Sequence, residues 1–423
     1  MCLKLKHYTL NGYTLSAGLA LLLLLLLTLN FNLDLFNIVS INHFKQFNAK
    51  VSQNLVIDAT LEQHTHPNNA TPFGLGRYQL DQSNQMQYIP YRSQIGIQGI
   101  WYSFIYNQLG ASISMLHWIN STLTAISILL LVWAFYRIYD KGLALAFLVS
   151  VFFSPWMVLF ARNLYWVSYL WFLPVFFSFL AYSYRNNRKL YSLYLLLFAL
   201  AVFIKSAAGY EYLSAILLFA SMPFVCAFVL PGDHFSRLAA FKAIIYLVVL
   251  SLVGFMMAII IHAYLIDNNI ILGLKHILIH DVERRTYGNP MDFSSAYTES
   301  LDAPVLIIVL LYFFWFPSYP TPLLYGISGA YFKYLLMISL FVAIYHYFYG
   351  DQKKQQQLPL LIISILSPLS WFVLAKAHSY IHTHLNFVLW YFGTVAMIIY
   401  ILGNTLINMF SNAKLKLLQK ISN

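Results

Sequence analysis

Ten stretches of this chain, each roughly 20 residues long, pass almost without charge. They lie at about 13–33, 113–136, 142–161, 164–184, 190–204, 211–230, 243–266, 329–349, 358–376 and 385–405. A helix of that length crosses the hydrocarbon of a bilayer and satisfies its own backbone N–H and C=O groups, which lipid cannot do for it. Charged residues make up 9% of the 423 positions and hydrophobic residues 60%. A soluble domain carries about a quarter charged residues, so these proportions exclude a water-solvated fold. The expected class is an all-α polytopic membrane protein with about ten transmembrane helices. Cys2 and Cys226 cannot build a disulfide framework, and neither stands in a metal or redox pattern. Lys4 and Lys6 precede Leu19–Leu27, but Asn30-Phe31-Asn32 follows instead of a small-residue cleavage site. Residues 1–33 therefore read as an uncleaved anchor helix.

Charge sets the expected orientation. With ten spans and a cytoplasmic N-terminus, the inner segments hold fourteen Lys and Arg against Asp140, Asp233 and Asp351. That accounts for the whole formal charge of +11, while eleven bases and eleven acids cancel on the other side. Such one-sidedness is what the positive-inside rule expects, and it places both termini in the cytoplasm. Val305–Phe316 is apolar but short and bracketed by prolines, so it reads as a re-entrant or interfacial segment. Counting it as a span would export Lys353 and Lys354. Two outer connections are long. Residues 34–112 form a large first extracytoplasmic loop with expected membrane-parallel helices, including an interfacial helix within Tyr88–Tyr102. Residues 267–302 form a second loop within the transmembrane domain at 113–423.

The tight outer turns carry ionisable groups: Arg162, Lys205 and Lys376, with Glu211 opening the sixth span. The long loops add Arg77, Arg92, Arg284 and Arg285, and His378, His382 and His384 are the densest histidine group. A base at a helix end also snorkels to lipid phosphates, and Lys205 and Glu211 also have a simple reading as a pair across their turn. What favours function is that distant turns place bases at one depth, facing one compartment. That arrangement suits an anion such as the phosphate of a lipid carrier. No nucleotide-binding signature competes: there is no GxxxxGK, and Gly74-Leu-Gly76 lacks the third glycine. His378 and His382 share a helical face, but HxxxH without an adjacent glutamate is a weak zinc signal.

Moving a sugar from a lipid phosphate to a hydroxyl requires a carboxylate to accept the hydroxyl proton. It also requires cationic or hydrogen-bonding groups to stabilise the departing phosphate. The first outer loop offers Asp34, Asp58, Glu62 and Asp81. Asp58 lies in the apolar run Asn54-Leu-Val-Ile-Asp-Ala-Thr60, and Asp34 lies just past the first span.

This layout resembles the C-type (GT-C) integral-membrane glycosyltransferases, which have ten or so spans and a large first outer loop holding a catalytic acid. That loop carries membrane-parallel helices, and basic residues on later turns meet a polyprenyl-phosphate sugar. The resemblance covers most of the chain as architecture. It implies Asp58 as general base, although family members often carry an acidic pair soon after the first span and none stands here, so Asp34 stays open. It implies Arg162, Lys205, Arg284, Arg285, Lys376, His378 and His382 as binders of donor phosphate, with Arg92, Glu211 and His384 in support. The implied reaction is an inverting displacement that releases polyprenyl phosphate to a lipid, glycan or protein acceptor, at a bacterial plasma membrane. No metal ligands are assigned, a divalent metal is left open as a cofactor, and nucleic acid is not a partner. The rival readings are a lipid-linked glycan polymerase or ligase, and a flippase or transporter. A transporter would place polar groups along a path through the middle of its spans; here they gather at one end, with Lys333 as the main exception.

Overall fold

The computed structural model describes residues 2–50, 52–69, 71–230 and 235–422. Asp233 and His234, which the charge count assigns to the inner side, lie outside the described residues, as do the side chains of Cys2, Lys4, Lys6, Lys414, Lys416 and Lys420. The chain is an all-α membrane protein with one small hairpin. Its elements begin with α1 (Cys2–Leu33), α2 (Ile41–Lys50), α3 (Gln53–Thr65), β1 (Gly76–Leu80), β2 (Met86–Pro90) and α4 (Ile97–Leu109). The bundle follows as α5 (Ile113–Ile138), α6 (Lys141–Phe152), α7 (Pro155–Arg162), α8 (Tyr169–Ser183), α9 (Arg188–Ala208), α10 (Leu213–Val229) and α11 (Arg237–Asp267). The second long loop contains α12 (Ile270–His276), a π-helical turn at Ile277–Glu283 and α13 (Thr298–Asp302). Then come α14 (Val305–Phe314), α15 (Phe332–Tyr349), α16 (Gln352–Gln355), α17 (Gln357–Leu374), α18 (Lys376–Ile381), α19 (Thr383–Asn386) and α20 (Thr394–Ser422).

Every apolar window is helical, but the windows are not equal. Among the described residues, six helices are long and apolar enough to cross a membrane, or up to eight if each of two bent pairs is one span. The third window is one of those pairs. Pro155 lacks the N–H that would continue α6, so α7 restarts at a 69° bend with Ser154 Oγ accepting from the Met157 amide. The other pair joins Ser295–Asp302 to Val305–Phe314 at 81°, with Pro304 at the break. The tenth window opens as a 3₁₀ turn at Phe387–Tyr391 and becomes α20 only after Gly393, whose φ of 100° a side chain would resist. The helices start where their caps dictate. Ser112, Asp140, Asn187 and Ser236 each accept a backbone N–H of the first turn of α5, α6, α9 and α11.

Around the middle of the bundle the core is aromatic. Phe135 packs against Phe147, Phe179 and Phe219 at 5.0, 5.2 and 6.2 Å between ring centroids. Phe219 stacks on Phe392, which also meets Phe172 and Trp171. Lys333, the expected polar exception within a span, sits in the first turn of α15 over the Phe314 and Tyr334 rings. It is a helix-end lysine.

The first long loop departs from expectation. Tyr88–Pro90 belongs to an antiparallel hairpin with Gly76↔Pro90 and Leu80↔Met86 at its ends, and helix begins only at Ile97. The turn chemistry was present in Asp81-Gln-Ser-Asn84, where Asp81 accepts from the Ser83 and Gln85 amides and Asn84 takes a φ of 60°. α3 lies against α4 and β1. α4 crosses the chain at Gly99 so closely that a Cβ there would fall 1.6 Å from the Gly74 carbonyl oxygen.

Candidate active site

Three tight turns and both long loops meet at one end of the bundle around a cavity of about 550 Å³. The turn between α7 and α8 brings Tyr165 and Trp166, and the turn between α9 and α10 brings Glu211. The turn after α17 brings His378 and His382, the second long loop brings Arg284 and Arg285, and the hairpin brings Arg77. The expected convergence of turns is present, but the side chains that meet are partly different ones.

Glu211 is aimed by strain. The next residue, Tyr212, holds a left-handed φ of 66°, which a bulky side chain adopts only when its surroundings compel it. Those surroundings are visible. The Tyr212 ring stacks on Trp166 at 5.4 Å, and its hydroxyl donates to Asn386 Oδ1 at 3.0 Å. Glu211 Oε1 accepts from the Tyr165 hydroxyl at 3.0 Å. Its other oxygen lies over Gly209, where a Cβ would come within 2.4 Å of Oε2 and 2.9 Å of Gln94 Oε1. Gly209→Ala is therefore expected to push the carboxylate off Tyr165 and lower activity about tenfold or more while the protein still assembles. Initial rates normalised to folded protein check this.

The arginines are set by the π turn, a helical irregularity common at functional sites. Asp281, inside that turn, is nearly buried and pairs with Arg284 at 3.4 Å and Arg285 at 3.8 Å. Arg285 also donates to the Tyr91 hydroxyl at 3.3 Å. Burial alone would weaken the hold of this guanidinium on its proton. Tyr91, Glu211 and Asp281 more than offset that and fix it as a cation. The site thus pairs a strongly held positive charge with a nearby carboxylate.

His378 and His382 lie 4.4 Å apart between ring centroids, tilted by 46°. Both Nδ1 atoms are buried without a hydrogen-bond partner among the described residues. Burial, then each other's company and that of the arginines, holds His378 well below the usual imidazole range. Burial and then His384 bring His382 down to about 4. Both rings are neutral near pH 7. In the unfolded chain such a ring takes its proton near 6.5, so between about 6.5 and 4 the unfolded chain binds more protons than the folded one. Stability carried by the pair is full above that window and is lost as pH falls through it. Burial raises Asp58, which works in the opposite direction. The expected result is that the thermal midpoint of the wild type falls between pH 7 and 4.5 more steeply than that of a His378→Gln/His382→Gln variant. Parallel slopes in thermal denaturation would contradict it.

The other expected site residues stand elsewhere. Asp58 is half-exposed on α3, where Oδ2 accepts from the Tyr78 amide at 3.3 Å. Asn54 and Leu55, one turn earlier, line the cavity and Asp58 does not. Asp34 spends both carboxylate oxygens on the Ile38 and Val39 amides. Arg162 lies under α2, with its guanidinium 5.6 Å from the Phe44 ring. Lys205 is buried behind the Glu211 turn and donates to the Gly209 carbonyl at 2.5 Å. Lys376 donates to the Leu301 and Ala303 carbonyls at 2.5 and 3.1 Å, tying α18 to the second loop. Arg92 donates to the Ile266 carbonyl and covers Phe73. His384 stands 5.6 Å from His382 and is exposed. The shared cause is that a base at a helix end has free carbonyls within reach, and Lys205, Lys376 and Arg92 take them. Of the bases on the tight turns expected to face one compartment together, Arg162, Lys205 and Lys376 do not line this cavity.

Residues missed from the sequence are Tyr91, Tyr165 and Trp166, and Arg77 was named but given no site role. Arg77 was visible only as one more loop cation, and the aromatics gave no signal that separates a cavity wall from a membrane interface. Among the described residues, no group of three or more His, Cys, Asp and Glu side chains is placed to hold a metal ion. No family model, no curated protein and no solved structure matches this chain.

Proposed function

We propose that this chain is a membrane glycosyltransferase that moves a sugar from a polyprenyl-phosphate carrier to a hydroxyl of a lipid, glycan or protein acceptor. The observation that carries the proposal is the cavity, which joins Arg284 and Arg285 to the unpartnered His378 and His382 on one side and a buried carboxylate, Glu211, on the other. Guanidinium forks match phosphate oxygens, and a neutral imidazole donates one further hydrogen bond. An arriving phosphate also brings the negative charge that draws protons onto both rings.

In the proposed reaction the phosphate lies against Arg284, Arg285 and the histidines, with its sugar toward Glu211. Glu211 accepts the proton of the attacking hydroxyl. The hydroxyl oxygen bonds to the anomeric carbon as the bond from that carbon to the phosphate oxygen breaks. The configuration inverts, and polyprenyl phosphate leaves with its charge on the arginines. We assign the proton acceptor to Glu211 over Asp58 because Glu211 lines the cavity and Asp58 stands a helical turn outside it. Ten crossings, both termini in the cytoplasm and the cavity on the outer face of a bacterial plasma membrane belong to the same proposal. It is supported by the one-sided charge and by the helices found in every apolar window. The aromatic middle of the bundle argues against a transport path.

The test is reconstitution of the full chain into vesicles supplied with a labelled polyprenyl-phosphate sugar and mixed acceptor lipids. Label appearing on an acceptor supports the proposal. Label that changes leaflet with its carrier linkage intact would establish the flippase reading instead.

A further inference from the structure

We infer that the opposite end of the bundle holds a second anion site, built for the phosphate of a phospholipid headgroup in that leaflet. At the far ends of α5, α8, α10 and α17 from the cavity, two smaller cavities of about 200 and 140 Å³ adjoin, sharing Ile138, Tyr139 and Gln356. The smaller is lined by Arg185, Tyr182, Gln352 and Gln356, with no carboxylate among the described residues that line it. Asp140, which lines the larger, is already engaged by Lys353 at 2.8 Å and by the Tyr400 hydroxyl at 2.7 Å. What remains is a concavity rich in donors.

Two of those donors are unused. Arg185 spends Nη1 on the Tyr182 carbonyl at 3.0 Å and lies over the Tyr182 and Phe235 rings, yet its Nε is buried without a partner among the described residues. The Tyr139 hydroxyl is likewise buried and unpartnered among them. An orphaned buried donor is costly and uncommon in a folded protein, and here two belong to residues that line one small space. A tetrahedral phosphate fits that space and would accept from both.

A lipid source is favoured by what lies beside it. An apolar groove of about 310 Å³ runs along the same α10–α17 seam, lined by Val225, Val229, Leu358, Ile362 and Leu366. Ile362 and Leu366 are open to the bilayer side at 43% and 45% exposure. A headgroup at Arg185 thus has a trough for an acyl chain next to it. The aromatic core stands between this site and the cavity at the other end, so the two are separate.

Native mass spectrometry of the full-length protein with phosphatidic acid, with diacylglycerol of the same chains and with inorganic phosphate tests the site. Phosphatidic acid is expected to bind well above diacylglycerol. Arg185→Gln is expected to weaken it about tenfold or more, and Tyr139→Phe, which keeps the ring and so the packing, to weaken it severalfold. Lys189→Gln, an exposed cation at the same end, is expected to leave binding unchanged. Equal binding of diacylglycerol, or full phosphatidic acid binding by both the Arg185 and Tyr139 variants, would overturn the site. Inorganic phosphate binding that depends on Arg185 and displaces the lipid would overturn the lipid source and assign the pocket to a soluble anion.

Discussion

Alanine at Arg285 is expected to reduce sugar transfer by a hundredfold to a thousandfold, the usual cost of removing one donor that meets charge developing in a transition state. The effect has two parts, and they separate experimentally. Removing the guanidinium takes away a phosphate ligand, which lowers turnover. It also takes one of two arginines from the nearly buried Asp281, which keeps Arg284 at 3.4 Å, so the destabilisation is expected to stay below the roughly 3–5 kcal/mol of a fully broken buried pair. Arg285→Lys keeps the charge but loses the fork, so it should restore most of the thermal stability and little of the turnover. If Arg285→Ala transfers sugar at the wild-type rate, the cavity is not where phosphate departs. Arg284 makes a weaker version of the same prediction, because it is more exposed.

The second large effect is expected from Glu211→Gln. Glutamine keeps the shape and still accepts from the Tyr165 hydroxyl, but it cannot take a proton. A loss of about a hundredfold to ten-thousandfold in turnover is expected, with donor binding retained. Asp58→Asn is expected to stay within a few-fold of wild type, because that carboxylate contacts the Tyr78 amide and does not face the cavity. The pair of variants therefore decides between the acid implied by family resemblance and the acid placed by geometry. A reversed outcome, with Asp58→Asn inactive and Glu211→Gln active, would return the role to the first loop. Pre-steady-state measurement of bound donor distinguishes lost chemistry from lost binding.

Much of the fold was legible because a membrane leaves few options. Runs such as Leu213–Val229 are apolar around their whole circumference, and only a helix satisfies that backbone in lipid. Breaks were harder to see. Pro155 interrupts α6 and α7, whereas Pro174, Pro223 and Pro368 sit inside continuous helices, so proline alone does not mark a bend. The hairpin at Gly76–Pro90 was missed because the surrounding loop was read for amphipathic helices rather than for the turn at Asp81–Asn84.

The site was partly legible for a different reason. Sequence shows which turns carry charge and therefore which ends of helices gather, and Arg284, Arg285, His378, His382 and Glu211 are indeed brought together. It does not show which cation will be taken by a nearby carbonyl. Lys376 and Lys205 look as available as Arg285 in one dimension. In three, the first closes the second loop onto α18 and the other braces Gly209. Arginines held at the cavity need a shaped neighbour such as Asp281, and that pairing lies at a π turn with no evident sequence mark.

The aromatic middle of the bundle has a consequence for logistics. Rings packed from Trp171 through Phe392 to Phe135 fill the middle of the bundle between its two ends. Under the proposed function, a carrier would enter sideways from the monolayer that the cavity faces, and the spent carrier would leave into it. On that reading, sugar loaded on the far monolayer would not reach this cavity, and turning the carrier over would fall to another catalyst.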